Sequence, residues 1–125
     1  MFSLKSKWTL VAVAVIIAVA YYLSQPAAID FKDGSKYMGD IKDGRANGKG
    51  TMTWTDGHKY TGDWKDGKRH GVGVDILLDG SKYEGEWRDN KPSGKGVLIK
   101  ANGNKIYEGE FKDGTPTGKG TYYSP

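Results

Sequence analysis

The segment from Tyr60 to Lys82 reads YTGDWKDGKRHGVGVDILLDGSK and decides the fold of this chain. Closely similar segments begin at three other tyrosines, which are Tyr37, Tyr83 and Tyr107. The four starting tyrosines are 23, 23 and 24 residues apart. Self-similarity at a fixed period of roughly 20 to 50 residues is the sequence signature of a repeat architecture. The sequence therefore predicts a stack of like structural units, whose positions we count from the starting tyrosine.

Each unit carries two turn signals. The first is an acidic residue followed by Gly or Asn, at Asp43-Gly44, Asp66-Gly67, Asp89-Asn90 and Asp113-Gly114. The second lies between successive units, at Asp33-Gly34, Asp56-Gly57, Asp79-Gly80 and Asn102-Gly103. Such pairs between short segments are strong signals for β-hairpins. Since Asn tolerates positive φ better than other non-glycine residues, Asn90 indicates that its position requires a left-handed backbone.

Short strands are predicted between these turns, for example Lys36–Lys42 and Gly50–Thr55. Tyrosine, glycine and a large apolar residue hold positions 1, 3 and 5 of the unit, so they share one face of a strand, while an acidic residue at position 4 lies on the other. The Gly-x-Gly pairs, such as Gly71 with Gly73, lack the spacing of a phosphate-binding loop and are interpreted as structural turns. The predicted fold is all-β, an elongated single-layer antiparallel meander of about eight or nine twisted strands, preceded by one N-terminal hydrophobic helix.

These residues resemble the MORN repeat (membrane occupation and recognition nexus), whose units read close to YxGxW/FxxGxxxGxGxxxxxDGxxY. The resemblance covers Asp33–Tyr122 and departs from the pattern at Ile41, at Asn90 and at one additional residue, Ile106. The additional residue predicts a bulge where the last unit joins. The fourth copy ends at Pro125, inside its second strand, which predicts a truncated hairpin. The resemblance implies a small bacterial-type protein that serves in interaction and assembly, and it implies lipid head-group binding only weakly.

Residues 1–28 are predicted to form a separate hydrophobic segment before a repeat domain at 29–125. Lys5 and Lys7 precede a run without charges. One interpretation is a single-pass membrane anchor, because an anchor needs about 17–25 apolar residues and aromatic side chains lie near both ends of the run. The other is a cleaved signal peptide, because the Ala-Val-Ala sequence at 18–20 is a suitable cleavage site.

The orientation of this segment predicts the location of the repeats. Basic residues before an apolar segment stay on the cytoplasmic side of the membrane. The repeats are therefore predicted to face the periplasm from the inner membrane, or to be free in the periplasm after signal cleavage.

Composition and polar side chains argue against several classes of function. The net charge of +4 is spread over interleaved basic and acidic residues, whereas nucleic-acid binding favours a clustered basic face. The chain has no cysteine, which excludes disulfides and thiolate metal sites. His58 and His70 stand where other copies hold Ser, Thr or Asn, so they are interpreted as surface residues. We therefore predict no enzyme activity, no catalytic, cofactor-binding or metal residue, and no nucleic-acid partner.

The aromatic side chains are the candidate binding site. They are predicted to form a ladder that is the core of the sheet and, since no second layer covers it, also an exposed groove for a peptide, a helix or a glycan. This candidate binding face consists of Tyr37, Tyr60, Trp64, Tyr83, Trp87, Tyr107 and Phe111. A candidate edge strand at Tyr122 and Tyr123 is predicted to pair weakly with a partner or a second copy.

Three functions compete at this point. The first is a non-enzymatic scaffolding module at the membrane that binds an unknown protein partner. The second is binding of anionic lipid head groups through loop cations such as Lys68 and Arg69. The third is a soluble periplasmic binding protein or an accessory factor of an envelope enzyme.

Overall fold

The computed structural model of this chain describes residues 4–24 and 27–124. Within those ranges one helix, α1 (Leu4–Ser24), precedes a single sheet of nine strands. The strands are β1 (Ala28–Asp30), β2 (Lys36–Lys42), β3 (Arg45–Thr53), β4 (Lys59–Lys65), β5 (Lys68–Ile76), β6 (Lys82–Arg88), β7 (Lys91–Ile99), β8 (Lys105–Lys112) and β9 (Thr115–Tyr122). They lie in sequential order and every neighbouring pair is antiparallel. The predicted single-layer β-meander with one preceding helix is confirmed.

The helix α1 occupies most of the predicted hydrophobic segment, and its side chains from Thr9 to Tyr21 are exposed. In the part of the chain that the structure describes, no helix has both the length and the apolar character needed to cross a membrane. The predicted transmembrane anchor is not supported, and the signal peptide and the location of the repeats stay predictions. The aromatic side chains near the ends of the hydrophobic run include Trp8 and Tyr22, and both of these side chains lie outside the described residues, as does Pro125.

Two-residue turns connect the hairpins β2–β3, β4–β5, β6–β7 and β8–β9. Both residues of each turn have positive φ, for example 47° at Asp89 and 69° at Asn90. This type I′ geometry matches the right-handed twist of the flanking strands. The left-handed backbone predicted at Asn90 is confirmed.

The alternate connections are slightly longer loops that carry the second turn signal. In the loop between β3 and β4, Oδ1 of Asp56 accepts a hydrogen bond of 2.9 Å from the backbone N–H of His58, and Gly57 has a φ of 95°. The same side-chain bond recurs in the other three loops, because each has Asp or Asn as its third residue. These bonds hold the loop in the shape that the hairpin requires.

The second strand of each unit is longer than predicted. β3 begins at Arg45 rather than at Gly50, and the Gly-x-Gly pairs lie inside β3, β5, β7 and β9 rather than in turns. The prediction of structural turns at these pairs is therefore wrong. The first glycine of a pair, such as Gly71 with a φ of 65°, lies opposite a register shift at position 4 of the preceding strand. The glycines accommodate this bulge without ending the strand. A further register shift beside Ile106 confirms the bulge predicted there.

A continuous row of glycines crosses the sheet, and a tyrosine ring lies over each pair of them. The paired glycines are Gly39, Gly50, Gly62, Gly73, Gly85, Gly96, Gly109 and Gly120. A Cβ built on Gly73 would fall well inside 3.0 Å of the Tyr60 hydroxyl and ring. Because glycine has no side chain, the tyrosine can lie directly on the backbone. The core of the single-layer sheet is therefore on this face.

Candidate binding surfaces

The aromatic residues at positions 1 and 5 form an unbroken ladder along the sheet. The ring centroid of Tyr60 lies 5.0 Å from that of Trp64 and 5.1 Å from that of Trp87, with interplanar angles of 89° and 81°. Edge-to-face contacts of the same kind link Tyr37 to this group and extend it to Phe111. Such pairs contribute about 0.5–1.5 kcal/mol each beyond the burial of their surface. The ladder thus stabilises every junction between units.

Backbone carbonyls accept hydrogen bonds from the polar atoms of the ladder. The Tyr60 hydroxyl donates to the carbonyl oxygen of Asp63 at 2.8 Å, and the other starting tyrosines repeat this bond. Nε1 of Trp64 donates to the carbonyl oxygen of Gly50 at 3.0 Å, and Trp87 makes the equivalent bond one unit later. These bonds fix each ring in one orientation, as expected for buried tyrosine and tryptophan.

The ladder is closed to solvent. All seven side chains of the predicted binding face are between 0% and 5% exposed. Half-buried side chains such as Ile41 and Trp54 pack against them. The prediction of an exposed aromatic groove is wrong, because the rings of each unit cover those of the next and leave no open surface. The ladder is therefore the core of the sheet, and a binding surface for a partner has to lie on another part of the molecule.

The burial of the ladder tyrosines predicts a loss of stability at alkaline pH. Burial raises the pKa of Tyr83 to about 12, with a smaller contribution from Glu86, and burial also raises the pKa of Tyr37 and Tyr60. The unfolded chain releases these protons from about pH 10, whereas the folded chain keeps them. The contribution of these rings to the free energy of unfolding should be complete below pH 10. It should decrease as the pH rises toward 12, by up to about 1.4 kcal/mol per pH unit for each ring.

Urea unfolding at several pH values, with Tyr83→Phe for comparison, measures this slope. A slope that Tyr83→Phe leaves unchanged would contradict the assignment.

The acidic residues at position 4 have a structural role that the sequence did not reveal. Asp63 lies opposite the bulge in β5, and its Oδ2 accepts a hydrogen bond of 3.0 Å from the backbone N–H of Val72 in that strand. This bond is the main reason that the pKa of Asp63 lies below its ordinary value, and Lys49 contributes a further lowering. Asp40 and Glu86 make the same bond in their units. These carboxylates bind backbone amides at the bulge rather than forming a free acidic row.

The face opposite the ladder, which we call the outer face, carries two ordered rows of side chains. The first row runs Lys36, Thr53, Lys59, Ile76, Lys82, Ile99 and Lys105 across neighbouring strands. The second row runs Met38, Thr51, Thr61, Val74, Glu84, Val97, Glu108 and Thr121. Four aliphatic side chains of these rows, Val74, Ile76, Val97 and Ile99, are only half-buried. We call these four residues the apolar patch.

One group of polar residues breaks the repeat, and we call it the Asp75 cluster: Trp54, His58, Arg69 and Asp75. Asp75 is buried, and its two carboxylate oxygens lie next to Nε2 of His58 and 3.9 Å from a guanidinium nitrogen of Arg69. The guanidinium lies over the Trp87 ring at 4.7 Å and over the Trp54 ring at 5.5 Å. His58 stacks on Trp54 with ring centroids 4.3 Å apart. Burial lowers the pKa of Arg69, while Asp75 opposes that effect.

The fold itself does not need the Asp75 cluster. At the position of Asp75 the other copies hold Met52, Leu98 and Tyr122, and at the position of Arg69 they hold Ala46, Pro92 and Pro116. The interpretation of His58 as a surface residue is wrong, since its side chain is only 23% exposed and is paired with Asp75. The signal that could have revealed the cluster is a pair of charged residues in columns that are otherwise apolar or proline.

The candidate edge residues lie on and just beyond β9. Tyr122 and Tyr123 are 64% and 42% exposed. The Tyr122 ring extends the ladder beside Tyr107, and the Tyr123 hydroxyl donates to Glu108 at 3.0 Å. Both side chains are partly engaged with their own sheet, and association through this edge stays a prediction.

Over residues 4–24 and 27–124, no group of three or more His, Asp or Glu side chains is arranged to hold a metal ion. The arrangement of hairpins, glycine row and aromatic ladder defines a single-layer β-repeat protein. The sequence model of the MORN repeat matches residues 37–59, 60–74, 83–105 and 107–125, and the chain belongs to the MORN-repeat family. No individual curated protein matches the chain. The match to the second unit ends at Val74, directly before Asp75, which is where this chain departs from its own repeat.

Proposed function

We propose that this chain is a non-enzymatic module for protein interaction and assembly, and that its partner docks on the outer face at the apolar patch. MORN repeats suggest a protein-interaction or membrane-interaction module. The aromatic ladder is buried, so it leaves the outer face as the larger surface open to a partner. The proposal rests on one observation, which is the half-buried aliphatic character of the apolar patch.

The register of the strands makes the apolar patch continuous. Val74 and Val97 lie on either side of Glu84, and Ile76 and Ile99 lie on either side of Lys82. Leu78, in the following loop, is 67% exposed. Aliphatic side chains around one cation and one anion provide an apolar contact surface with a polar centre, which is a common composition for a protein interface.

The repeat itself shows that these aliphatic residues are not required for folding. The first unit has Thr51 and Thr53 at the positions of Val74 and Ile76, and its strands pair in the same register. Since the sheet accepts a hydroxyl at both positions, the apolar residues of the next unit are explained better by a contact outside the sheet. Exposed apolar groups that the fold does not need are typical of interaction sites.

The test replaces the patch with residues that the fold already accepts. Val74→Thr combined with Ile76→Thr should keep the melting temperature close to that of the original chain and weaken partner binding by about tenfold or more. Affinity capture with cross-linking, using the full chain, identifies the partner, and titration calorimetry with the purified partner measures the dissociation constant.

Met38→Thr is the matched control, because Met38 is an exposed apolar residue in the same row but outside the patch. It should leave the dissociation constant unchanged. Equal binding by the original chain and the double variant would overturn the proposal.

A further inference from the structure

The last strand, β9, lies at one end of the sheet, and in the described part of the chain its outer side has no neighbouring strand. The backbone N–H of Tyr123 donates to the carbonyl oxygen of Ile106 at 3.0 Å, so this amide points toward β8. Because successive residues of a strand direct their backbone groups to alternate sides, Gly120 and Tyr122 direct theirs away from β8. We call this free side of residues 118–122 the β9 edge.

The equivalent edges inside the sheet show what the β9 edge can accept. In the third unit, Gly94 of β7 lies opposite Phe111 of β8, and Gly96 lies opposite another glycine. The first two units repeat this arrangement, with a tryptophan opposite the first glycine of each Gly-x-Gly pair. By the same spacing, Gly118 can accept an aromatic residue from an added strand, and Gly120 can accept a glycine.

β9 itself contains the aromatic residue that its edge can accept. At the position of Tyr122 the first three units hold Met, Asp and Leu, so only the fourth unit has an aromatic residue there. When two copies of β9 pair antiparallel with Gly120 opposite Gly120, each Tyr122 falls opposite Gly118 of the other copy. The segment Gly-Lys-Gly-Thr-Tyr is therefore complementary to itself around a two-fold axis at Gly120.

Tyr122 has aromatic surface left to bury in such a contact. It is 64% exposed, although its ring centroid lies 4.6 Å from that of Tyr107 in the same sheet. The space above Gly118 is open, because nothing lies within 4 Å of a Cβ built on this glycine. A tyrosine ring from a second copy therefore has room above Gly118, and its burial there would remove apolar surface from water.

The backbone and the outer face are compatible with the same register. Three residue pairs centred on Gly120 would each exchange two backbone hydrogen bonds. Lys119 of each copy would lie opposite Thr121 of the other, so no like charges are directly opposite. Backbone hydrogen bonds would thus supply the affinity, and the aromatic residues would fix the register, as in other cases of strand addition.

The opposite end of the sheet is less suited to pairing. There β1 pairs with residues 36–38 of β2, and the carbonyl oxygen of Ala27 accepts a hydrogen bond of 2.9 Å from the amide of Gly39. β1 has only three residues, and none of them is glycine. A head-to-tail contact would place β9 against this short strand, whereas the symmetric contact pairs two complete Gly-x-Gly segments. Since a two-fold interface closes, association should stop at the dimer.

We propose that a second copy of this chain pairs antiparallel with β9 and continues the sheet across a two-fold axis at Gly120. Each Tyr122 then lies opposite a glycine of the other copy, as Phe111 lies opposite Gly94 within the chain. The paired segments are short, so the dimer should be weak, with a dissociation constant of about 10–100 µM. This interface is separate from the apolar patch and does not depend on the proposed function.

Cysteine cross-linking tests the register, because the chain has no cysteine of its own. Mixing a Lys119→Cys variant with a Thr121→Cys variant places two thiols directly opposite each other. Opposite residues that share no hydrogen bonds have Cα atoms about 4.5 Å apart, which suits a disulfide. In either variant alone the two thiols are diagonal neighbours, whose Cα atoms are about 7–8 Å apart. Under mild oxidation the mixture should therefore form dimers about tenfold faster than either variant alone, and equal rates would overturn the proposal.

Two substitutions of Thr121 should affect the dimer and the single sheet in opposite directions. The side chain introduced at this position lies beside Glu108 in its own sheet and opposite Lys119 of the second copy. Thr121→Lys should therefore keep the melting temperature and weaken the dimer by about fivefold, because like charges then lie opposite each other. Thr121→Glu should lower the melting temperature slightly and strengthen the dimer by a similar factor. Sedimentation velocity of the full chain, in a mild detergent that shields α1, measures the dissociation constant.

Thr55→Lys is the matched control, because it adds the same charge in the loop between β3 and β4. It should leave the dissociation constant unchanged. A chain that stays monomeric up to about 1 mM, or association that responds to Thr121→Lys and Thr121→Glu in the same way, would overturn the proposal. Neither result bears on binding at the apolar patch, so failure of the dimer is distinguishable from failure of the proposed function.

Discussion

Replacing Gly73 with alanine should lower the melting temperature by more than about 15 °C. This corresponds to a loss of roughly 4 kcal/mol in the free energy of unfolding. The new Cβ would overlap the Tyr60 hydroxyl and ring, so the tyrosine would have to leave its place. That movement would break its 2.8 Å hydrogen bond to Asp63 and its edge-to-face contacts with Trp64 and Trp87. Overpacking costs about 1–3 kcal/mol, a hydrogen bond about 1, and each ring pair about 0.5–1.5. Thermal unfolding followed by circular dichroism measures the change.

Gly103→Ala is the matched control for this prediction. Gly103 has a φ of 91°, and nothing lies within 4 Å of the position where its Cβ would be built. The cost there should be only the backbone strain of a non-glycine residue, about 1–2 kcal/mol. Gly73 has no positive φ, so the Gly103 variant carries a backbone cost that the Gly73 variant lacks, and the difference between them is a lower bound on the cost of the contact with the tyrosine. A loss at Gly73 no larger than the loss at Gly103 would contradict the prediction.

The periodic features of the fold could be predicted from the sequence because each appears several times in aligned columns. Four tyrosines at a fixed spacing, with Asn90 as the exception in a glycine column, fix the hairpins and the face of the ladder. The bulge opposite position 4 could not be predicted, because its extra residues lie in the second strand and leave positions 1, 3 and 5 of the first strand on the same side. For the same reason the Gly-x-Gly pairs were misread as turns.

The candidate sites were harder to predict than the fold. Whether solvent reaches the aromatic ladder depends on how far each ring extends over the next unit. The twist of the sheet sets that distance, and no single position of the repeat determines it. The Asp75 cluster joins residues from adjacent strands, and His58 and Asp75 are 17 positions apart in the chain. Only the strand register brings them together.

The second large effect is expected at the Asp75 cluster. Asp75→Met, which introduces the residue found at this position in the first unit, should destabilise the sheet by about 3 kcal/mol. The reason is the Arg69 guanidinium, whose side chain is only 18% exposed and which would lose its buried carboxylate. Breaking one partner of a buried pair costs about 3–5 kcal/mol, and the stacking of Arg69 on Trp87 offsets part of that loss.

Combining Asp75→Met with Arg69→Ala should restore most of that stability. The pair would then match Met52 and Ala46 of the first unit, which are both buried in the core. Replacing a buried ion pair by apolar residues is often close to neutral, so the double-mutant cycle should show a coupling of about 2 kcal/mol. Urea unfolding of the two single variants and the double variant measures it at constant pH. Additive losses would show that the charges do not act as a pair. A recovery would show that the sheet folds without the charges of the cluster.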